Sequence, residues 1–507
     1  MLFAKVAGVV RGVLWVVGLC VAGSAIGGAQ GLGVFEGHGD VGKVLHVGEV
    51  RYDAARQTYT VSGSGENMWF GEDDFQFVWK KMSGDVALTA DIAFVGTGGN
   101  KHRKAVLMMR QSLDGGSRAV DVARHGDGLT SLQYRDEPGA TMHEVESAVS
   151  APTRVRIERR GEYVYVYVSE ASGRLAPSGA SIKLALSGQF YVGLGVCAHD
   201  KNVTETAVFS NVKVEQLPPV TGQPVLYSTI ETVGIGSTDR RVEYVAARHF
   251  EAPNWSRDGS YLLFNQEGGI ERLTMGSTEP SAVPIEGGLE CNNDHGLSPD
   301  GALMAISARA SKAGGSQVYV VPVGGGQARQ VTMNSPSYWH GWSPDGKVLA
   351  FTGARGGEFD IYTIPISGGQ ETRLTTAKGL DDGSEFSPDG RYLYFNSERT
   401  GSMQIWRMRS DGSEQEQVLA DGSNDWFPHI SPDGKWMVFV AYEKGVSGHP
   451  ANKDVELRVM SLADKKVRFL ARLFGGQGTM NVPSWSPDSS KVAFVSYELL
   501  PQGAGGR

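Results

Sequence analysis

One recurring turn constrains this chain more than any other feature. It reads WSRDG, LSPDG, WSPDG, FSPDG, ISPDG and WSPDS, and its aspartates are Asp258, Asp300, Asp345, Asp389, Asp433 and Asp488, at spacings of 42, 45, 44, 44 and 55 residues. An apolar, strand-like run follows each turn: YLLFN, ALMAIS, KVLAFTG, RYLYFNS, KWMVFVA and KVAFVSY. Most units add a third run, such as FDIYTIPI or MQIWRMRS, and a weaker fourth, such as ETRLTT. The serine hydroxyl caps the turn, proline presets φ at the next position, and Asp-Gly makes the bend. Four short strands per unit of about 40 to 45 residues is the pattern of a propeller blade. The last unit holds only two strands, and PVLYSTIETV and RRVEYVAA, upstream of the first turn, supply the missing pair. The expectation is an all-β domain over 225–500, six complete blades closed by strands from both ends, which protects the sheet edges.

On these six turns and the strands after them, roughly Gln223 to Leu500, the chain resembles the TolB family of periplasmic propellers. It departs from TolB in its first half, where TolB carries an α/β domain. The resemblance implies an exported binding protein.

The first half, 31–217, lacks the repeat. Strand-like runs such as QTYTVSGSG, DFQFVWKKM, KAVLMMRQS, RVRIERRG and EYVYVYVSE alternate with glycine-rich turns, and helical periodicity is absent. In YVYVYV one face is tyrosine and the other valine. About a dozen such strands predict a two-sheet sandwich. The matching runs YDAARQTYTVSGSGENMWF, AVLMMRQSLDGGS, VRIERRGEYVYVYVSE and YVGLGVCAHD resemble concanavalin/laminin-G-like jelly rolls, which implies sugar or surface binding. Trp69, Phe75, Phe77 and Trp79 are read as core aromatics rather than a ligand platform, because the last three share one strand face. QLPPVTGQP joins the halves, with 218–224 as a proline-rich linker, and 501–507 is a flexible tail.

Composition agrees with many tight turns. Among 507 residues, 68 are glycine, well above the usual share of about 7%. A net charge of −8 gives no electrostatic case for nucleic acid or an anionic membrane. The N-terminus carries Lys5 and Arg11 and then the apolar run Gly12 to Ala22, too short for a membrane span. With small residues up to Ala29, 1–29 reads as a signal peptide. Export to the periplasm or beyond follows, with no membrane span after cleavage. Cys197 and Cys291 then remain in different domains and are expected to be buried and unpaired.

Propeller geometry assigns the site. The repeated turn joins the inner strand to the second, so the loops entering the inner strand and those between the second and third strands share the opposite face. Residues two to four before each turn therefore line the channel mouth. They include Asn254, Asp294, His295, His340, Ser384, Glu385, His429 and Ser484. His295, His340 and His429 are candidate metal ligands, with Asp381, Asp382 and Asp425 upstream; imidazoles with carboxylates suit a divalent transition metal. Arg309, Arg355 and Arg399, at equivalent strand ends, are candidate ligand contacts, although pairing with loop carboxylates is a sufficient structural role. The long spacing of 55 reflects EKGVSGHPANKD, an enlarged loop on the same face bearing His449, Lys453 and Asp454.

Two functions fit. The first is a binding protein that holds a glycan, peptide or partner protein at the mouth through Asp294, Arg309, Arg355, Asp382, Glu385, Arg399 and His449. No Gly-x-Ser-x-Gly elbow or His-Glu-x-x-His motif is present. The second is a metal-dependent lyase acting on uronates, with His340 or His449 as the base. It rests on a similarity of histidine placement to oligogalacturonate lyases. Binding is the reading adopted.

Overall fold

The computed structural model describes residues 31–310 and 314–503. The signal-peptide reading of 1–29 lies outside them, as do residues 504–507 of the tail. Every regular element among the described residues is a strand.

The six turns form by one device. In each, the serine hydroxyl donates to the aspartate two residues on, at 2.6–2.7 Å, and accepts the backbone N–H five residues on, at 2.9–3.0 Å; Ser343, with Asp345 and Val348, is one example. The glycine after aspartate takes φ near +70°, as Gly390 and Gly434 do, and at the sixth turn Ser489 holds φ +61° in its place.

Five four-stranded antiparallel sheets follow from five of these units. Their inner strands are Phe250–Trp255, Glu290–Leu297, Ser337–Trp342, Asp381–Phe386 and Asn424–Ile430. The last group is built differently. Lys491–Leu500 pairs along its whole length with Val225–Gly234, which pairs with Arg240–Ala246, so the two ends of the domain meet. Its inner position is only a single bridge, Trp485 to Val492, beside Pro483, which has no N–H to give a ladder. The expected six complete blades are thus five four-stranded sheets and one three-stranded closing unit with a bridge.

All five inner strands carry a bulge, at Glu251/Asn254, Cys291/His295, Trp339/Gly341, Asp382/Glu385 and Trp426/His429. Ala252, Gly383 and Phe427 take positive φ at these bulges. A bulge re-aims side chains on either side of it, and it lies where the channel is lined.

In the first half two sheets share one core. Seven strands, from Gly37–Val41 to His143–Glu146, face seven others, from Leu175–Lys183 to Glu49–Asp53. Leu107, Val120 and Val192 of the first sheet meet Leu88, Ile157 and Val164 of the second. Phe75 and Phe77 are fully buried in a second cluster on the outer side of the first sheet, with Trp79 packed partly against it. Cys197 and Cys291 are both buried and unpaired.

The two halves are not joined by the linker alone. His143–Glu146 pairs in parallel with Arg240–Ala246, so the first sheet runs on into the closing unit as one ten-stranded sheet. The tyrosine face of YVYVYV, which alternation alone would leave to solvent, packs Tyr165 and Tyr167 around Leu500 of the propeller. Lys183 Nζ lies 2.7 Å from Asp454, and Tyr163 donates its hydroxyl to the same carboxylate.

Candidate functional site at the channel mouth

A cavity of about 300 Å³ opens at the end of the channel away from the repeated turns. Asp294, His340, Asp382 and His449 converge on it from the second, third, fourth and fifth blades, with Asn481 and Gln477 from the last entry loop. His340 Nε2 stands 3.0 Å from Asp382 Oδ1, and His449 Nε2 4.0 Å from the other carboxylate oxygen. His449 also bonds Gln477 Oε1 through Nδ1, and its ring meets Trp426 edge-on at 4.4 Å. Asn292 donates to Asp294 at 2.9 Å. Asn481 donates to Gln477 at 3.2 Å.

The electrostatics are coupled. Burial works to raise the Asp382 carboxyl, but His340, aided by His449, outweighs it and holds the group at about 2. Burial alone would lower the His340 imidazole, and Asp382 with Asp294 raises it instead. Asp294 is pushed up to about 6 by burial and by the charge of Asp382, against the pull of His340. Behind it, burial and Asp294 raise Glu251 to about 7. The wall therefore sets two carboxyl groups beside the imidazoles of His340, held toward its charged form, and His449, with amides around them. No lysine or arginine lines the cavity among the residues described.

A family model described as the TolB beta propeller domain matches residues 339–472. An uncharacterized protein of Agrobacterium fabrum (strain C58) is 50% identical over 272 residues, spanning 53% of this chain and 92% of that protein. The chain belongs to the TolB-like β-propeller family. A solved structure from Agrobacterium tumefaciens, provisionally described as a TolB, is 49% identical with a TM-score of 0.53, covering 54% of this chain and 99% of that one. TolB from Acinetobacter baumannii is similar at 15% identity and a TM-score of 0.40, over 63% of this chain and 79% of its own.

In this TolB-like propeller the three expected metal ligands separate. His340 lines the cavity, but His295 is fully buried between the blades and lines neither end of the channel. Burial pushes its imidazole down to about 4. His429 bonds Glu385 Oε2 through Nδ1 at 2.5 Å, and Glu385 lines a different cavity, among the prolines of the repeated turns. Among the described residues no three His, Cys, Asp or Glu side chains gather as ligands for a metal ion. For His429 the cause is register: it stands one residue nearer its turn than His340, and one residue reverses the direction of a strand side chain. The same rule carries Glu385 away from the mouth.

The three arginines also stay with their own blades. Arg355 grips Glu371 with two nitrogens at 2.9 and 3.0 Å, and Arg399 holds Asp381 at 3.0 and 3.1 Å. Arg309 makes a surface pair with Glu290 at 3.2 Å. Asp425 is buried without a partner, and burial lifts it to about 8. Of the enlarged loop, His449 reaches the cavity, while Asp454 turns to the first half. Sequence reasoning missed Phe427, Tyr338, Asn481 and Gln477, which are among the other residues of the wall. Only the enlarged, glycine-rich entry loop LFGGQGTMNVP signalled the last two.

Proposed function

We propose that this chain is an exported binding protein whose six-bladed propeller, counting the closing unit as a blade, grips a peptide segment of a partner protein at the channel mouth. The observation that carries the reading is the Asp294–His340–Asp382–His449 group at the head of the cavity. Two carboxylates and four amides, Asn292, Asn293, Gln477 and Asn481, face a volume that suits a few side chains, and the Asn293 amide nitrogen is buried with no partner. Such a wall favours an amino group or backbone amides over an anion. A uronate would need an uncompensated cation to receive its carboxylate; His340 already faces Asp382, and Arg309, Arg355 and Arg399 are engaged elsewhere. The lyase reading therefore lacks support in these residues. The first half is read as a jelly roll that fixes the propeller's orientation, and export rests on the N-terminal sequence.

Calorimetric titration of the mature chain with lysine-containing peptides and with a galacturonate oligomer tests this. The expected result is peptide binding that falls about tenfold in Asp382→Asn, the loss of one charge-assisted contact. Tighter binding of the uronate than of any peptide would reverse the assignment.

A further inference from the structure

The opposite end of the channel holds a second cavity, of about 250 Å³, that the mouth does not account for. It is ringed by the residue immediately before each repeated turn. Trp255, Trp342, Phe386 and Trp485 present aromatic rings there, each 6–8% exposed. The turn prolines Pro299, Pro344, Pro388 and Pro432 complete the rim.

Two polar features break the symmetry of this ring. In the third and closing units the indole N–H is used by the propeller itself: Trp342 donates to the Gly296 carbonyl at 3.0 Å, and Trp485 donates to the His429 carbonyl at 2.9 Å. Trp255 is the exception. Its side chain is more than nine-tenths buried, it lines the cavity, and its Nε1–H has no partner. The second feature is Glu385, the one carboxylate in the lining, steadied by His429 on one oxygen. The matching positions of the neighbouring blades are the glycines Gly296 and Gly341, which let those blades pack closely there. A Cβ at Gly296 would lie 2.1 Å from the Trp339 ring, and one at Gly341 would lie 2.9 Å from the Ser384 carbonyl. Arg257 replaces proline in the first turn, and its guanidinium is held by the carbonyls of Leu297 and Ser298 at 2.7 and 3.0 Å. It makes no ion pair with Glu385, although both line this cavity and their charges attract.

Aromatic walls with a free indole donor and a flanking carboxylate are the means by which proline-rich segments are recognised. The rings hold the pyrrolidines of a preformed extended helix, the indole N–H meets a backbone carbonyl, and the carboxylate takes a basic side chain. We propose that the turn-side end of the channel docks an extended, proline-containing peptide segment bearing one basic residue. Trp255 supplies the carbonyl contact and Glu385 the charge. This site is separate from the mouth and does not depend on what the mouth binds.

The probe is an acetylated, amidated proline-rich hexapeptide ending in arginine, titrated into the full mature chain with tryptophan fluorescence as the readout. Saturable quenching is expected. Trp255→Phe, which keeps the ring and removes only the N–H, weakens the probe about fivefold, and Glu385→Gln weakens it by a similar factor. Replacing the arginine of the probe with norleucine abolishes the effect of Glu385→Gln but not that of Trp255→Phe. Unchanged melting temperatures show that both variants are folded; if one is not, the other decides. No saturable binding by the parent chain overturns the proposal, and so does binding that neither variant alters.

Discussion

Arg240 of the propeller's closing unit and Val145 of the first half are partners in a parallel β-pair, and through them the two halves share one sheet. The joint is polar and buried. Arg240 lies 3.4 Å from Glu231, with side chains 2% and 1% exposed, and donates to the Ser181 carbonyl across the boundary at 2.9 Å. Ser496 closes the far side of Glu231 at 2.5 Å. Exchange of Arg240 for methionine leaves a buried carboxylate without its partner and is expected to cost about 3–5 kcal/mol. Urea unfolding followed by fluorescence measures it. Adding Glu231→Gln should restore part of the loss; a double variant as unstable as the single one would show that Arg240 acts through packing alone.

Acidity enters the same joint. Burial lifts Glu498 to about 7, and it lifts Asp425 in the fifth blade and Asp121 in the first half to about 8. A carboxyl whose folded pKa lies above its unfolded value makes its full contribution below the unfolded value and loses it as pH rises through the folded one. Histidines pull the other way. Burial lowers His125 to about 3 and His295 to about 4, so their contribution is present above about 6.5 and is lost as pH falls toward those values. Between about pH 4.5 and 6.5 three carboxyls lose their contribution while two histidines gain theirs, so these groups should make thermal stability fall gently there and more steeply from about pH 6.5 to 8.5. Glu498→Gln with Asp425→Asn should flatten the fall above about pH 6.5 and turn the gentle fall below it into a rise, because two histidines then oppose Asp121 alone. An alkaline slope that persists in that variant would point to other groups.

At the mouth, the charge state of His340 is set by Asp382. Burial acts to lower the imidazole and the carboxylate overcomes it. In Asp382→Asn burial is opposed only by the weaker pull of Asp294 and the Asn481 backbone, so the His340 titration, followed by NMR, should move from above 6.5 to below it. A midpoint that stays above 6.5 would assign the imidazolium to Asp294 instead.

The blades were legible because their turn is local chemistry: serine, aspartate and glycine make the same hydrogen bonds at Ser343 and at Ser431 whatever surrounds them. The histidines were harder to place. His295 and His340 have the same offset from their turns, yet the bulge leaves His295 in the ladder opposite Ile306 and His340 between paired residues. Bulges are set by backbone pairing, which spacing does not encode. The tyrosines of YVYVYV read as an outward face because their cover, Leu500, comes from the far end of the chain. Asp454 was assigned to the mouth by loop position, whereas Lys183 and Tyr163, nearly three hundred residues earlier, draw it to the first half.

The repeated turn offers a final test, because one of its six copies breaks the rule. Gly434 sits at φ +71° with open space around it, so an added Cβ there meets only the strain of a left-handed backbone. Gly434→Ala should cost about 1 kcal/mol. At the sixth turn Ser489 already holds φ +61°, and its hydroxyl accepts the Asp433 backbone N–H of the preceding blade at 3.0 Å. Ser489→Ala keeps the strain and loses that bond, for a cost of about 1 kcal/mol. Ser489→Gly loses the bond but relieves the strain, so it should fall within about 0.5 kcal/mol of the parent chain. Urea midpoints at constant slope compare the three. If Ser489→Gly proves no more stable than Ser489→Ala, the serine is not strained, and the hydrogen bond to Asp433 alone explains why glycine is absent from that turn.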